Sequence, residues 1–226
     1  LDPPDDIDIE ERQQTMALPL ILGALGRFSR RVLEMGYGTG AMTAALLEAG
    51  VGVELLEGST ALCQQASRRH PTLPVHLCRF EDFATPDPFD AVLALHVLEH
   101  VESPQDVLWR ARDWLCVGRS LIAVVPNAES VHRRLAVEMG LQPALDTLSP
   151  RDLLVGHRRV YTLGSLEDEM TRAGFRVEAQ FGYFLKPLSN AQMLGWDPAL
   201  LAALNTISGE IPPRLLANIG VRAVRL

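Results

Sequence analysis

Val32-Leu33-Glu34-Met35-Gly36-Tyr37-Gly38-Thr39-Gly40 is the stretch around which the chain is organised. Two apolar residues lead to an acid, three glycines follow at alternate positions, and Ala41 to Ala49 then reads as a helix. Strand, glycine turn, helix is the order in which an α/β sheet offers backbone N–H groups to a nucleotide. Gly36 permits a sharp turn, Gly38 removes the Cβ that would hold a ligand away, and Gly40 lets the helix start close against the strand.

The glycines alone also satisfy a loose dinucleotide fingerprint. Glu34 separates the two readings, because a carboxylate at the mouth of the strand suits a ligand carrying a cationic ammonium group. A second acid, Glu57, ends the predicted strand Val51 to Glu57, just before Gly58 and Ser59. It stands where a doubly wound fold places a carboxylate on a ribose diol. Downstream, Phe89-Asp90-Ala91-Val92 opens a fourth strand that runs into Leu95-His96-Val97-Leu98-Glu99-His100-Val101, and a fifth strand, Leu121 to Val125, closes on Pro126-Asn127.

Glu-x-Gly-x-Gly-x-Gly resembles the first motif of the class I S-adenosylmethionine (SAM) methyltransferases. The phrase from Phe89 to Val101 is similar to the fourth motif of their ubiquinone-biosynthesis branch. The resemblance implies an α/β, Rossmann-like, doubly wound sheet of seven strands, mostly parallel with an antiparallel last strand, helices on both faces and an extra helical cap. It implies SAM as cofactor, held by Glu34, Gly36, Tyr37, Gly38, Gly40, Glu57, Gly58 and His96. In such enzymes the turn after the third strand grips the adenine. This chain departs from the commonest version by placing Arg79 where an acid usually stands, so Glu81 or Asp82 is the expected substitute for the acid, with Phe80 packing on the ring.

Length and composition set the frame. With 226 residues, 47% hydrophobic and 22% charged, one domain spanning 1–226 is expected. A net charge of −7 argues against nucleic acid as the main partner. Cys63, Cys78 and Cys116 form no C-x-x-C pair and read as reduced thiols of a cytoplasmic protein. Residues 1–10 carry no apolar signal segment, and no apolar run approaches the length of a membrane span. Because the chain begins at Leu1 rather than Met, some residues are expected to precede it. A helix from Glu10 to Phe28 is predicted across the cofactor mouth, after an extended Leu1 to Ile9.

Two segments individualise the chain. Residues 128–163 contain Val131-His132-Arg133-Arg134, Leu148-Ser149-Pro150-Arg151-Asp152 and Gly156-His157-Arg158-Arg159-Val160-Tyr161, a pattern similar to SAM methyltransferases of small-molecule and sugar pathways. This segment is expected to cap the reaction centre. Residues 185–218 separate the sixth strand (Phe175 to Phe184) from the last (Ile219 to Leu226), and are expected to add helices beside the site or a face for a homodimer.

The leading expectation is methyl transfer to a small molecule of a biosynthetic pathway, with His157 and Tyr161 positioning the acceptor or moving its proton and Asn127 orienting the ligands. The same sulfonium also activates the methionine carbon chain, so a SAM cyclase making azetidine-2-carboxylate and methylthioadenosine is an alternative on this fold. A SAM-binding protein without catalysis is another. No metal site is expected, since only His96 and His100 are spaced four apart and no carboxylate cluster joins them.

Overall fold

The structure, a computed structural model, describes residues 12–26 and 30–226. Its strands are β1 (Val32–Met35), β2 (Val53–Glu57), β3 (Val75–Leu77), β4 (Phe89–Leu95), β5 (Leu115–Pro126), β6 (Phe175–Tyr183) and β7 (Asn218–Arg225). They form one sheet in the order β3-β2-β1-β4-β5-β7-β6. The β1–β2, β1–β4, β2–β3 and β4–β5 pairs are parallel, and β7 runs antiparallel between β5 and β6. The order reverses between β1 and β4, the switch point beyond whose carboxyl ends open α/β sheets bind ligands.

Besides a helical stretch at residues 12–16, the helices are α1 (Leu18–Leu25), α2 (Ala41–Glu48), α3 (Thr60–Arg69), α4 (Pro104–Asp113), α5 (Val131–Glu138), α6 (Pro150–Leu154), α7 (Leu163–Arg172), α8 (Asn190–Met193) and α9 (Pro198–Ile207). Side-chain alternation along the central strands sorts them between two faces. Leu33, Met35, Val92, Ala94, Leu121 and Ala123 pack with α4 and α7 through Val107, Leu108, Ala111, Leu166 and Met170. Val32, Leu55, Ala91, Leu93, Ile122 and Val124 pack with Ile21 of α1, Leu46 of α2, Ala66 of α3 and Leu201 of α9. The central strands are therefore apolar on both sides, which is why their sequences read as continuous runs rather than alternations.

Local chemistry explains most boundaries. Ser59 and Ser103 accept backbone N–H bonds at the starts of α3 and α4, and reciprocal capping boxes start α6, α7 and α8. Three expectations need correction. The N-terminal helix is interrupted at Ala17, two residues before Pro19, whose ring supplies no N–H to the preceding turn; its predicted ends, like Leu1 to Ile9, lie outside the described residues. α4 stops at Asp113 instead of reaching Leu115. β5 begins at Leu115 instead of Leu121, because Leu115 pairs with Phe89 before a register shift carries the chain past Gly118 to the Ala91–Ser120 pair. The 185–218 segment supplies α8, α9 and two short 3-10 turns. Among the described residues no helix is long and apolar enough to cross a membrane.

Candidate active site

A cavity of about 800 Å³ opens at the carboxyl ends of β1 and β4. Its floor is the glycine turn. Gly36, Gly38 and Gly40 all have positive φ, at 79°, 52° and 81°. A Cβ built on Gly38 would meet no protein atom within 4 Å, whereas one on Gly40 would lie 2.4 Å from the Tyr37 ring. The two glycines thus have different duties. Gly40 makes room for Tyr37, and Gly38 keeps cavity space open. Glu34 faces the cavity at 4% exposure and accepts a 2.7 Å hydrogen bond from Thr43 Oγ1 on α2. Burial pushes its carboxyl up to about 7, against the pull of Thr43. Such a carboxylate gains most from a cation brought beside it.

Glu57 ends β2 with both oxygens on backbone: Tyr37 N donates to Oε2 at 2.9 Å and Ser59 N to Oε1 at 2.7 Å. It therefore locks the glycine turn to the second strand, and each oxygen keeps a lone pair for a hydroxyl donor. Gly58 lies against the backbone of Cys78 and Arg79. Phe80 is half-buried against the core, Glu81 is exposed, and Arg79 is paired with Asp82. Glu57, Phe80 and Glu81 are not among the residues that line the cavity.

The opposite wall is assembled from distant segments. β4 hands over to His96, a non-glycine residue at φ 56°, a strained conformation of the kind found at functional sites. Its ring bridges Tyr183 Oη (3.0 Å from Nε2) and Glu99 Oε1 (3.1 Å from Nδ1). Asp152, at the start of α6, accepts from Arg133 of α5 at 2.6 Å and lies 3.1 Å from His157 Nδ1. Burial raises the Asp152 carboxyl, but His157, Arg133 and Ser149 outweigh it and hold it well below the usual carboxylate range. The His100 ring lies edge-on to that of His157, with centroids 4.7 Å apart. Burial lowers the His100 pKa, favouring the neutral ring.

The predicted site residues divide on this geometry. Glu34, Gly36, Tyr37, Gly38, His96, Asn127 and His157 line one cavity. Asn127 spends its amide on the carbonyls of Arg214 and Leu216 and its oxygen on the amide of Glu129, so it braces the wall. Tyr161 is 2% exposed, with its hydroxyl on Glu169 and on the Leu98 carbonyl. Burial and Glu169 push that hydroxyl far above its ordinary pKa, which suits a fixed donor and not a proton carrier. Thr43, Arg133 and Asp152 went unidentified in the sequence because their partners lie 9 and 19 residues away and follow no spacing rule. The motif Ser149-Pro150-Arg151-Asp152 did carry a usable signal, since it is a capping box whose acid is also turned to His157.

The comparisons match this architecture. A methyltransferase-domain family model covers residues 9–180. The fold and the glycine-turn cavity define a class I SAM-dependent methyltransferase. The chain belongs to that family, and SAM is its cofactor. Solved structures share the fold at low identity. A SAM-dependent methyltransferase from Mesorhizobium loti has a TM-score of 0.65 at 17% identity, covering 93% of this chain and 98% of that one. The Burkholderia thailandensis 1,6-didemethyltoxoflavin-N1-methyltransferase, solved with 1,6-didemethyltoxoflavin and S-adenosylhomocysteine, has 0.63 at 17%, covering 97% and 81%. An N-methyltransferase from Bradyrhizobium japonicum, solved with S-adenosylhomocysteine, has 0.59 at 14%, covering 99% and 89%. No curated protein matches the chain by sequence.

Proposed function

We propose that this methyltransferase acts on a small-molecule acceptor of a biosynthetic pathway in the cytoplasm. The observation that carries the reading is one cavity with the glycine turn on one wall and His96, Asp152 and His157 on another. Its volume suits a cofactor end and a small acceptor together. The Burkholderia neighbour, whose acceptor is 1,6-didemethyltoxoflavin, is of the same kind.

SAM, when bound, supplies a methyl group on an electrophilic sulfonium. Glu34 would take the ammonium end, the turn from Gly36 to Gly40 the close backbone approach, and Glu57 the ribose diol. The cap from 128 to 163 then excludes water and holds the acceptor in line, which is the larger part of what such a reaction needs. His157, oriented through Nδ1 by Asp152, is the group placed to position an acceptor or receive its proton.

The test is to incubate the chain with SAM alone, then with candidate acceptors, and to follow sulfur products by mass spectrometry. The expected result is silence with SAM alone and S-adenosylhomocysteine once the right acceptor is added. Steady methylthioadenosine without any acceptor would replace this reading with a cyclase.

A further inference from the structure

The turn after β4 contains an unmet need. Glu99 is fully buried, and its Oε2 has no hydrogen-bond partner. A buried carboxylate oxygen left bare costs roughly 1–3 kcal/mol or more, so it requires a reason. Ligand atoms of Glu99, His100 and His157 lie within 4.8 Å of one another. All three residues line the same cavity as the glycine turn.

The surroundings hold these three in place. Arg158 N donates to the Glu99 carbonyl at 2.8 Å. Arg159 donates to the carbonyls of Leu98, Val101 and Glu102 at 2.7, 2.6 and 3.0 Å. Two distant segments are thus tied together on either side of the cluster. The Nδ1 of His157 is turned to Asp152, and that of His100 lies against Gly156, which leaves Nε2 of each ring for a ligand. A carboxylate fixing the far nitrogen of a ligating histidine is the usual outer arrangement of a metal site. A simple hydrogen-bonded cluster would leave Glu99 Oε2 unsatisfied and bring two imidazoles together with no proton shared between them.

We propose that Glu99, His100 and His157 form a site for one divalent transition-metal ion, and that the ion's open positions bind a hydroxyl oxygen of the acceptor. Two imidazoles and a carboxylate select Zn²⁺, Co²⁺, Fe²⁺ or Mn²⁺ over Mg²⁺ or Ca²⁺ and leave at least one position open. A hydroxyl bound there has a lowered pKa and gives its proton to water. With Nε2 on the ion, His157 positions the acceptor through the metal and does not receive its proton; the ion supplies the activation that Tyr161 and Asn127, both occupied by protein partners, do not. The metal site stands on geometry alone; its role toward an acceptor rests on the proposed methyl transfer.

The experiment uses the full chain, freed of metal by chelation, without SAM or acceptor. Zn²⁺, Mn²⁺ and Co²⁺ are titrated by calorimetry, and the Co²⁺ form is examined by visible absorption. One equivalent should bind, with Co²⁺ bands characteristic of nitrogen and oxygen ligands. His100→Gln and His157→Gln should each weaken binding at least 100-fold while SAM binding and the melting temperature hold. Asp152→Asn should weaken it about 10- to 100-fold. No stoichiometric binding of any of the three ions, or binding indifferent to both histidine variants, overturns the site. Acetohydroxamate, an oxygen chelator, should change the Co²⁺ spectrum; an unchanged spectrum would overturn the acceptor role alone. Acceptor methylation at full rate after chelation would likewise leave the methyltransferase reading standing without the metal.

Discussion

The two walls of the cavity are built in opposite ways. The glycine-turn wall is nearly contiguous: Glu34, Gly36, Tyr37 and Gly38 come from one strand and turn, and Thr43 from the helix that follows. The opposite wall draws on the segment around Gln13, on the end of β4, on α5 and α6, and on the 185–218 insertion. These are joined by pairs such as Arg133–Asp152 and Gln13–Asn190, the latter 177 residues apart. A local wall can be specified by spacing, whereas an assembled wall depends on individual side-chain bonds. The two should therefore fail differently.

The largest effect is expected in the assembled wall. Arg133→Ala leaves Asp152 buried without its guanidinium partner and should cost about 3–5 kcal/mol, read by denaturant unfolding. A loss below about 1 kcal/mol would mean that the cap does not depend on this pair. Next comes Glu57→Ala. It strips the acceptor from the amides of Tyr37 and Ser59 and should weaken SAM binding by roughly 1.5–3 kcal/mol, the scale of a hydrogen bond to a charged group. Calorimetry checks this, and an unchanged affinity would remove Glu57 from the cofactor site.

The acid in the local wall gives a pH test. The Glu34 carboxyl of the free protein is raised to about 7. Its contribution to stability is complete below the unfolded-state value of 4.5 and is lost as pH rises through about 7. The ionised form is the one that takes an ammonium. SAM affinity should therefore rise by up to tenfold per pH unit below about 7 and level off above it, with protons released on binding. A flat profile across that range would mean that Glu34 does not meet the cofactor's charge. The smallest effect belongs to Thr43→Val, which removes the 2.7 Å bond to Glu34. It should cost roughly 1 kcal/mol in SAM affinity at neutral pH and move the midpoint of that profile upward.

What could be read from the sequence follows the same division. The succession of strands and helices and the glycine turn are legible, because apolar runs and Gly spacing report backbone conformation directly; the strand order in the sheet is seen only in the fold. The caps at Ser59 and Ser103 are legible for the same reason. Glu34 and His157, singled out from the sequence, both line the cavity. For Tyr161 and Asn127, nothing local shows that Glu169, Arg214 and Leu216 will claim their polar atoms. In the sequence Glu99 is seen only beside His96 and His100. Only the arrival of residues 156–159 beside it, held by Arg159, reveals the three-residue cluster.

The central claim is that one wall holds the cofactor and the other the acceptor. Calorimetric titration of SAM into Gly38→Val and His157→Ala tests it most directly. The valine places atoms in space that the Gly38 position leaves open, at a folding cost of only about 1–2 kcal/mol for the left-handed backbone. Gly38→Val should lose SAM binding by at least 100-fold, while His157→Ala should keep it within about threefold, given that 1.4 kcal/mol corresponds to tenfold. Retained binding in the valine variant, or equal loss in both, would contradict the division of the cavity on which the account rests.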